Sequence, residues 1–211
     1  MAGQWRCLLL SSRRWFVMEA LFSSTLAVTV AEIGDKTQLL ALFLAARYSQ
    51  PRPIVLGIFV ATILNHSLSA WLGVWVATLI PPEYFAYIIS ASFVLIALWL
   101  LVPDKDDDSK DRFAQYGPFV ATVTLFFLAE MGDKTQIATV ILSAKYSVDF
   151  ISTCLVIFGT TLGMLIANVP VIYAGKWIME RVPLDTARKF AFVIFIGLAI
   201  LTFFGANSFS V

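Results

Sequence analysis

The chain has 211 residues, 59% of them hydrophobic and only 14% charged, with a net charge of +1 and a mean hydropathy of +0.83. A soluble domain carries about 25% charged residues, so a soluble globular protein is excluded, and the near-zero net charge leaves no basic face for nucleic acid. Cys7 and Cys154 have neither C-x-x-C spacing nor a neighbouring histidine, which argues against a disulfide framework or a zinc site.

Residues 1–17 differ from the rest of the chain. They carry Arg6, Arg13 and Arg14 and a short apolar patch at Cys7–Leu10, too short for the core of a signal peptide. The pair Arg13-Arg14 superficially resembles a twin-arginine signal, but it lacks a small-residue cleavage site downstream. The expectation is a disordered extension, with Met18 as an alternative start.

From Met18 onward the hydropathy pattern predicts an all-α integral membrane protein. Six transmembrane helices are expected, at about 19–46, 54–80, 84–102, 117–144, 150–176 and 188–207. Each reaches the ~17–25 apolar residues that cross a bilayer. Proline and charge together mark the breaks at Arg47–Pro53, Pro81-Pro82, Pro103–Gln115, Lys145–Asp149 and Glu180–Lys189.

The chain repeats itself. Glu32-Ile33-Gly34-Asp35-Lys36-Thr37-Gln38 returns 98 positions later as Glu130-Met131-Gly132-Asp133-Lys134-Thr135-Gln136, and Tyr48-Ser49 returns as Tyr146-Ser147. Beyond the next loop the offset becomes 102, so that Gly57 answers to Gly159, Gly73 to Gly175, Trp75 to Trp177 and Pro81 to Pro183. The chain therefore divides into two three-helix repeats, at 18–102 and 117–211, joined by an acidic cytoplasmic linker at 103–116. Three helices per half is an odd number, so the second half enters the membrane from the opposite side. This is the inverted-repeat plan of many secondary transporters.

Loop charge sets the orientation. Arg47, Arg52, Lys105, Lys110, Arg112, Lys176, Arg181, Arg188 and Lys189 fall on one side, against Arg6, Arg13, Arg14 and Lys145 on the other. The positive-inside rule then puts both termini outside the cytoplasm. The linker acids, Asp104, Asp106, Asp107, Asp108 and Asp111, read as a solvated loop, with cation collection as the functional alternative.

The doubled motif carries the chemistry. Each copy puts three charges inside an apolar run, and a charge at the centre of a membrane helix costs about 2.5–3.5 kcal/mol. Intramembrane charges mark ion or substrate paths. If the motif is helical, Glu32 and Asp35 share a face and Lys36 lies beside Glu32. A local ion pair would account for Glu32 and Lys36 but leaves Asp35 over. Gly34 and Gly132 permit local unwinding, as in the discontinuous helices of transporters. Brought together, Glu32, Asp35, Glu130 and Asp133 form a set of hard oxygen donors. Thr37, Gln38, Thr135 and Gln136 offer neutral oxygens. Such a set suits Ca²⁺, Mn²⁺ or Mg²⁺ rather than zinc or copper. Four carboxylates with Lys36 and Lys134 sum to −2 when all are ionised, which one divalent cation neutralises. Protons would take the cation's place when it leaves.

Both copies fit E-φ-G-D-[KR]-[ST]. The chain therefore resembles, over about residues 18–207, the duplicated-motif cation exchangers that include Golgi Ca²⁺/Mn²⁺:H⁺ exchangers and bacterial manganese exporters. The resemblance implies that Glu32, Asp35, Glu130 and Asp133 bind the cation and that Mn²⁺ or Ca²⁺ leaves the cytosol against protons. It also implies a multi-pass protein of a bacterial plasma membrane. The expected partners are the cation, protons and lipid, with a homo-oligomer allowed and no prosthetic group.

His66, the only histidine, matches Asn168 at the 102 offset. His66 reads as a satisfied hydrogen-bond partner, with proton relay or ligand as the alternative, and Asn168 offers a carbonyl oxygen. Pro170 is expected to kink its helix. Gly159, Gly163 and Ala167 form a small-residue stripe suited to close helix packing, and Trp71, Trp75, Trp99 and Trp177 are expected at lipid. The rival readings are an exporter of a small anionic or zwitterionic solute held by the two lysines, and a non-transporting membrane scaffold. No nucleophile–base pair suggests an enzyme.

Overall fold

The computed structural model describes residues 18–102, 116–179 and 184–207. The expected N-terminal extension and acidic linker lie outside them. The described residues form eight helices and no strand. They are α1 (18–32), α2 (Lys36–Tyr48), α3 (Pro51–Leu79), α4 (Pro82–Leu100), α5 (Pro118–Glu130), α6 (Lys134–Tyr146), α7 (Phe150–Met179) and α8 (Leu184–Asn207). Among them, the stretches Pro51–Leu79, Pro82–Leu100 and Phe150–Ala174 are long and apolar enough to cross a membrane. The chain is an integral membrane protein. Pro51, Pro82 and Pro118 each open a helix, where a fixed φ and a missing N–H suit the first turn. The expected breaks at Arg47–Pro53, Pro81-Pro82 and Lys145–Asp149 fall between helices.

One expectation is corrected. The segments 19–46 and 117–144 are not single helices. Each is cut at its motif into two shorter pieces, α1/α2 and α5/α6. The cause is local: Gly34 and Gly132 have φ of 81° and 79°, a left-handed backbone that ends a right-handed helix and that glycine adopts without strain. The motif is therefore not helical, and Glu32 and Asp35 do not share a helix face. Glu32 ends α1, while Asp35 stands at the N-cap of α2.

The two halves interleave. α3 lies mainly against α5 and α6 rather than against α2, and α7 packs on α1 and α2. The glycines that allow this are repeat partners in matching register. A Cβ on Gly57 would sit 2.6 Å from the Thr122 side chain and 3.1 Å from the Phe119 carbonyl. On Gly159 it would sit 2.8 Å from the Leu21 carbonyl and 3.1 Å from Ser24. Phe119 is the repeat partner of Leu21, and Thr122 of Ser24. Gly163 continues the close approach, since a Cβ there would fall 2.7 Å from the Thr25 carbonyl, as the small-residue stripe predicts.

Two buried apolar clusters flank this interleaved centre. One joins α2, α3, α5 and α7 through residues such as Leu44, Ile58, Phe126 and Met164. The other joins α1, α4, α6, α7 and α8 and includes Phe93 and Phe195, whose rings meet edge to face at 6.1 Å. Trp71, Trp75 and Trp99 are exposed on the outer surface, as apolar side chains facing lipid would be. The Trp177 side chain lies outside the described set. Pro170 sits inside α7 and withholds the bond that the Ile166 carbonyl would otherwise accept.

Candidate functional site

The two helix breaks face each other at the middle of the molecule. Glu32, Asp35, Glu130 and Asp133 each bring one carboxylate oxygen to a common point, all within 4.8 Å of one another. All four are buried, at most 5% exposed. The sequence gathers them in pairs, and the fold brings the pairs together.

Each pair is built the same way. Glu32 and Glu130 close the first helix of their half, where unpaired carbonyls make a negative dipole end. Asp35 and Asp133 stand at the N-caps of α2 and α6, the positive dipole ends. Neither aspartate uses its carboxylate to cap its own helix. The tight turn between the pieces is closed by backbone bonds from the Asp35 N–H to the Glu32 carbonyl and from Asp133 to Glu130, both 3.1 Å.

The remaining motif residues hold these acids in place. The Thr37 hydroxyl donates to Glu32 Oε2 at 2.5 Å, and Thr135 to Glu130 Oε2 at 2.7 Å. Gln38 Oε1 accepts from the Gly34 amide at 2.9 Å, and Gln136 Oε1 from Gly132 at 2.5 Å. These two amide oxygens, offered by the sequence as neutral donors, brace the two breaks. Gln38 also donates through Nε2 to the Ala167 carbonyl on α7 at 3.0 Å, and Asn168 Nδ2 approaches Glu32 Oε2 at 3.4 Å. Among the described residues, Glu32 Oε1, Glu130 Oε1 and Asp133 Oδ2 accept no hydrogen bond. Oxygens left this way inside a protein are costly unless a charge or proton meets them.

Lys36 does not pair with Glu32 in its own half; its Nζ lies 3.3 Å from Asp133 Oδ1 in the other half. Lys134 is buried, and its Nζ lies 3.4 Å from the Val102 carbonyl. His66 is fully buried, but neither ring nitrogen has a hydrogen-bond partner among the described residues. The satisfied partnership expected of it is absent, whereas its repeat counterpart Asn168 also donates to the Met164 carbonyl at 3.1 Å.

Sequence reading missed one set of contacts. The Tyr146 hydroxyl donates to Glu19 Oε1 at 3.1 Å and lies 3.4 Å from Ser23 Oγ, tying the end of α6 to the start of α1. Its repeat partner Tyr48 donates to the Tyr116 carbonyl at 2.7 Å, tying the end of α2 to the approach to α5. The recurrence of Tyr-Ser after each motif was the visible signal, but it did not reveal the partners.

The family model described as "Divalent cation/proton antiporter GDT1" matches residues 20–108 and again 118–209. The chain is 50% identical over 188 residues to a Vibrio cholerae protein named "Putative manganese exporter", covering 89% of this chain and 92% of the relative. It is 28% identical over 207 residues to the GDT1-like protein sll0615 of Synechocystis, covering 88% and 97% of the two chains. It is 26% identical over 216 residues to GDT1-like protein 3 of Arabidopsis thaliana, covering 89% and 71%. No solved structure matches. With the family model spanning both halves and the doubled acid motif meeting at the centre, the chain belongs to the GDT1 family of divalent cation/proton antiporters, which are membrane carriers and not enzymes.

Proposed function

We propose that this chain exports Mn²⁺ from the cytosol of a bacterium, across the plasma membrane, in exchange for protons, with Ca²⁺ as a second cargo. The observation that carries the reading is the convergence of four buried carboxylates from both halves within 4.8 Å. In this reading Glu32, Asp35, Glu130 and Asp133 ligate the cation. Thr37, Thr135, Gln38, Gln136 and Asn168 position the acids and the breaks.

The chain crosses the membrane six times as two inverted three-helix repeats, with both termini outside. The broken segments α1/α2 and α5/α6 each count as one crossing. Cargo sites between repeats, at broken helices, are the general plan of such carriers. The cation enters from the cytoplasmic side and is held by the acids. Rocking of one half against the other exposes it outside, where protons replace it on the carboxylates and return the carrier. The rival anionic cargo is disfavoured by the same geometry. The acids outnumber the lysines at the centre, and Lys36 is drawn to Asp133.

Purified protein in proteoliposomes with an imposed pH gradient tests this. Mn²⁺ movement coupled to opposite proton movement is expected, and Glu32→Gln should remove it. Protons compete for the acids, so the apparent KM for Mn²⁺ should rise as pH falls on the loading side. Mn²⁺ flux indifferent to the gradient would exclude proton exchange. Absence of divalent flux in the wild type would exclude the whole reading.

A further inference from the structure

The cation site has an unequal second layer. The helices α3 and α7 cross the motif breaks at repeat-equivalent positions. On α7, Ala167 and Asn168 meet the first break: the Ala167 carbonyl accepts from Gln38, and Asn168 Nδ2 approaches Glu32. The equivalent positions on α3 are Asn65 and His66. Asn65 Nδ2 donates to the Phe127 carbonyl on α5 at 3.1 Å, one helical turn before Glu130. By the repeat, His66 corresponds on the Glu130 side to Asn168 on the Glu32 side, and in this conformation its ring nitrogens are not among the ligand atoms that lie within 4.8 Å of one another.

What occupies the two positions differs in kind. Thr62, Asn65, His66 and Ser69 form one buried stripe on α3. The Ser69 hydroxyl is bonded to the Asn65 carbonyl at 2.8 Å. His66 has two ring nitrogens and no hydrogen bond to either, and Glu130 Oε1 accepts none. A buried imidazole with both nitrogens unmet is unfavourable unless a partner arrives during function. Asn168, in contrast, is held by Met164 and Glu32.

We infer that His66 joins the four carboxylates as a nitrogen ligand when the cation is bound, and that it makes the site prefer Mn²⁺ over Ca²⁺ and Mg²⁺. This rests on the carboxylate site proposed above. Ca²⁺ and Mg²⁺ take oxygen ligands. First-row transition ions also accept imidazole, and Mn²⁺ is the member of that series that still suits carboxylates and carbonyls. One nitrogen added to four carboxylates separates Mn²⁺ from the alkaline-earth ions in a way that oxygen donors alone do not. The asymmetry of the repeat, asparagine on one side and histidine on the other, supplies one such nitrogen.

Pulsed electron paramagnetic resonance of Mn²⁺ bound to the purified wild-type protein reads this directly. The expected result is ¹⁴N modulation from a coordinated imidazole, lost in His66→Asn, which installs the side chain of the repeat partner. In proteoliposomes, His66→Asn should raise the KM for Mn²⁺ by about 10-fold, the lower end of what losing a metal-site contact produces. It should change the KM for Ca²⁺ by less, so that the preference for Mn²⁺ over Ca²⁺ falls. Bound Mn²⁺ without nitrogen modulation in the wild type overturns the inference, without need of any variant. So does an unchanged Mn²⁺/Ca²⁺ ratio in His66→Asn, even if its pH dependence alters, because that outcome assigns His66 to proton movement. Both results leave the carboxylate site standing. A wild type that binds no divalent cation overturns the site and this inference together.

Discussion

α2 and α6 carry the same motif at their N-termini and have the same length, yet they sit in different surroundings. Nine of the 13 residues of α6 are buried, against five of the 13 in α2. α6 is gripped by α3, α4 and α7, while α2 rests on α7 and α5. The contact of α3 with α6 is very close, since a Cβ on Gly73 would fall 2.2 Å from the Val140 carbonyl. At the far ends the same contrast holds. Tyr146 is 1% exposed and bonds Glu19, whereas the bond from Tyr48 to Tyr116 is exposed. Two copies of one sequence thus give one end that is firmly packed and one that is loose.

The largest expected effect tests whether the two copies serve one site. Glu32→Gln and Glu130→Gln should each reduce Mn²⁺-dependent proton flux by about 100-fold, measured in proteoliposomes at equal protein content. Two independent sites would instead leave about half the flux in each variant. Next, Gly73→Ala should unseat α6 from α3 and lower stability by about 1–3 kcal/mol, the usual range for overpacking. The readout is a thermal shift in detergent, and an unchanged transition would mean that the firm end is not as tight as Gly73 suggests. Gly34→Ala and Gly132→Ala are expected to cost about 1–2 kcal/mol each. At Gly132 nothing lies within 4 Å of the added Cβ, so any loss there comes from backbone strain alone.

The smallest effect separates the two ends directly. Tyr146→Phe removes a part-buried hydrogen bond and should cost about 1 kcal/mol. Tyr48→Phe removes a solvent-side bond and should cost less. Cysteine accessibility probed near each tyrosine should rise more at the α6 end in the first variant than at the α2 end in the second. Equal changes would remove the distinction between the ends.

Much of this was legible in the sequence because repetition fixes more than composition does. The offset between Gly57 and Gly159 anticipates their matching contacts with Phe119 and Leu21, and the doubled acids anticipate their meeting. The helix breaks were half legible. Glycine beside an acid signals permission to unwind, but hydropathy runs straight across Gly34 and Gly132 and predicts one helix each. Lys36 was not legible. Spacing puts it near Glu32 only if the motif is helical, and once Gly34 turns left-handed the side chain reaches Asp133 instead. The bracing role of Gln38 and Gln136 was not legible for a related reason: a broken helix has amides to satisfy, and the glutamine four residues on accepts from each.

The interleaving of α3 with α5, and of α7 with α1, has a consequence for how such a chain can be made. Neither half closes its own glycine groove; the Gly57 groove is filled by residues of the second half and the Gly159 groove by residues of the first. A half synthesised alone would present an unfilled seam and one pair of acids without its complement, so it is not a self-sufficient folding unit. The two halves should instead complement each other when supplied as separate chains.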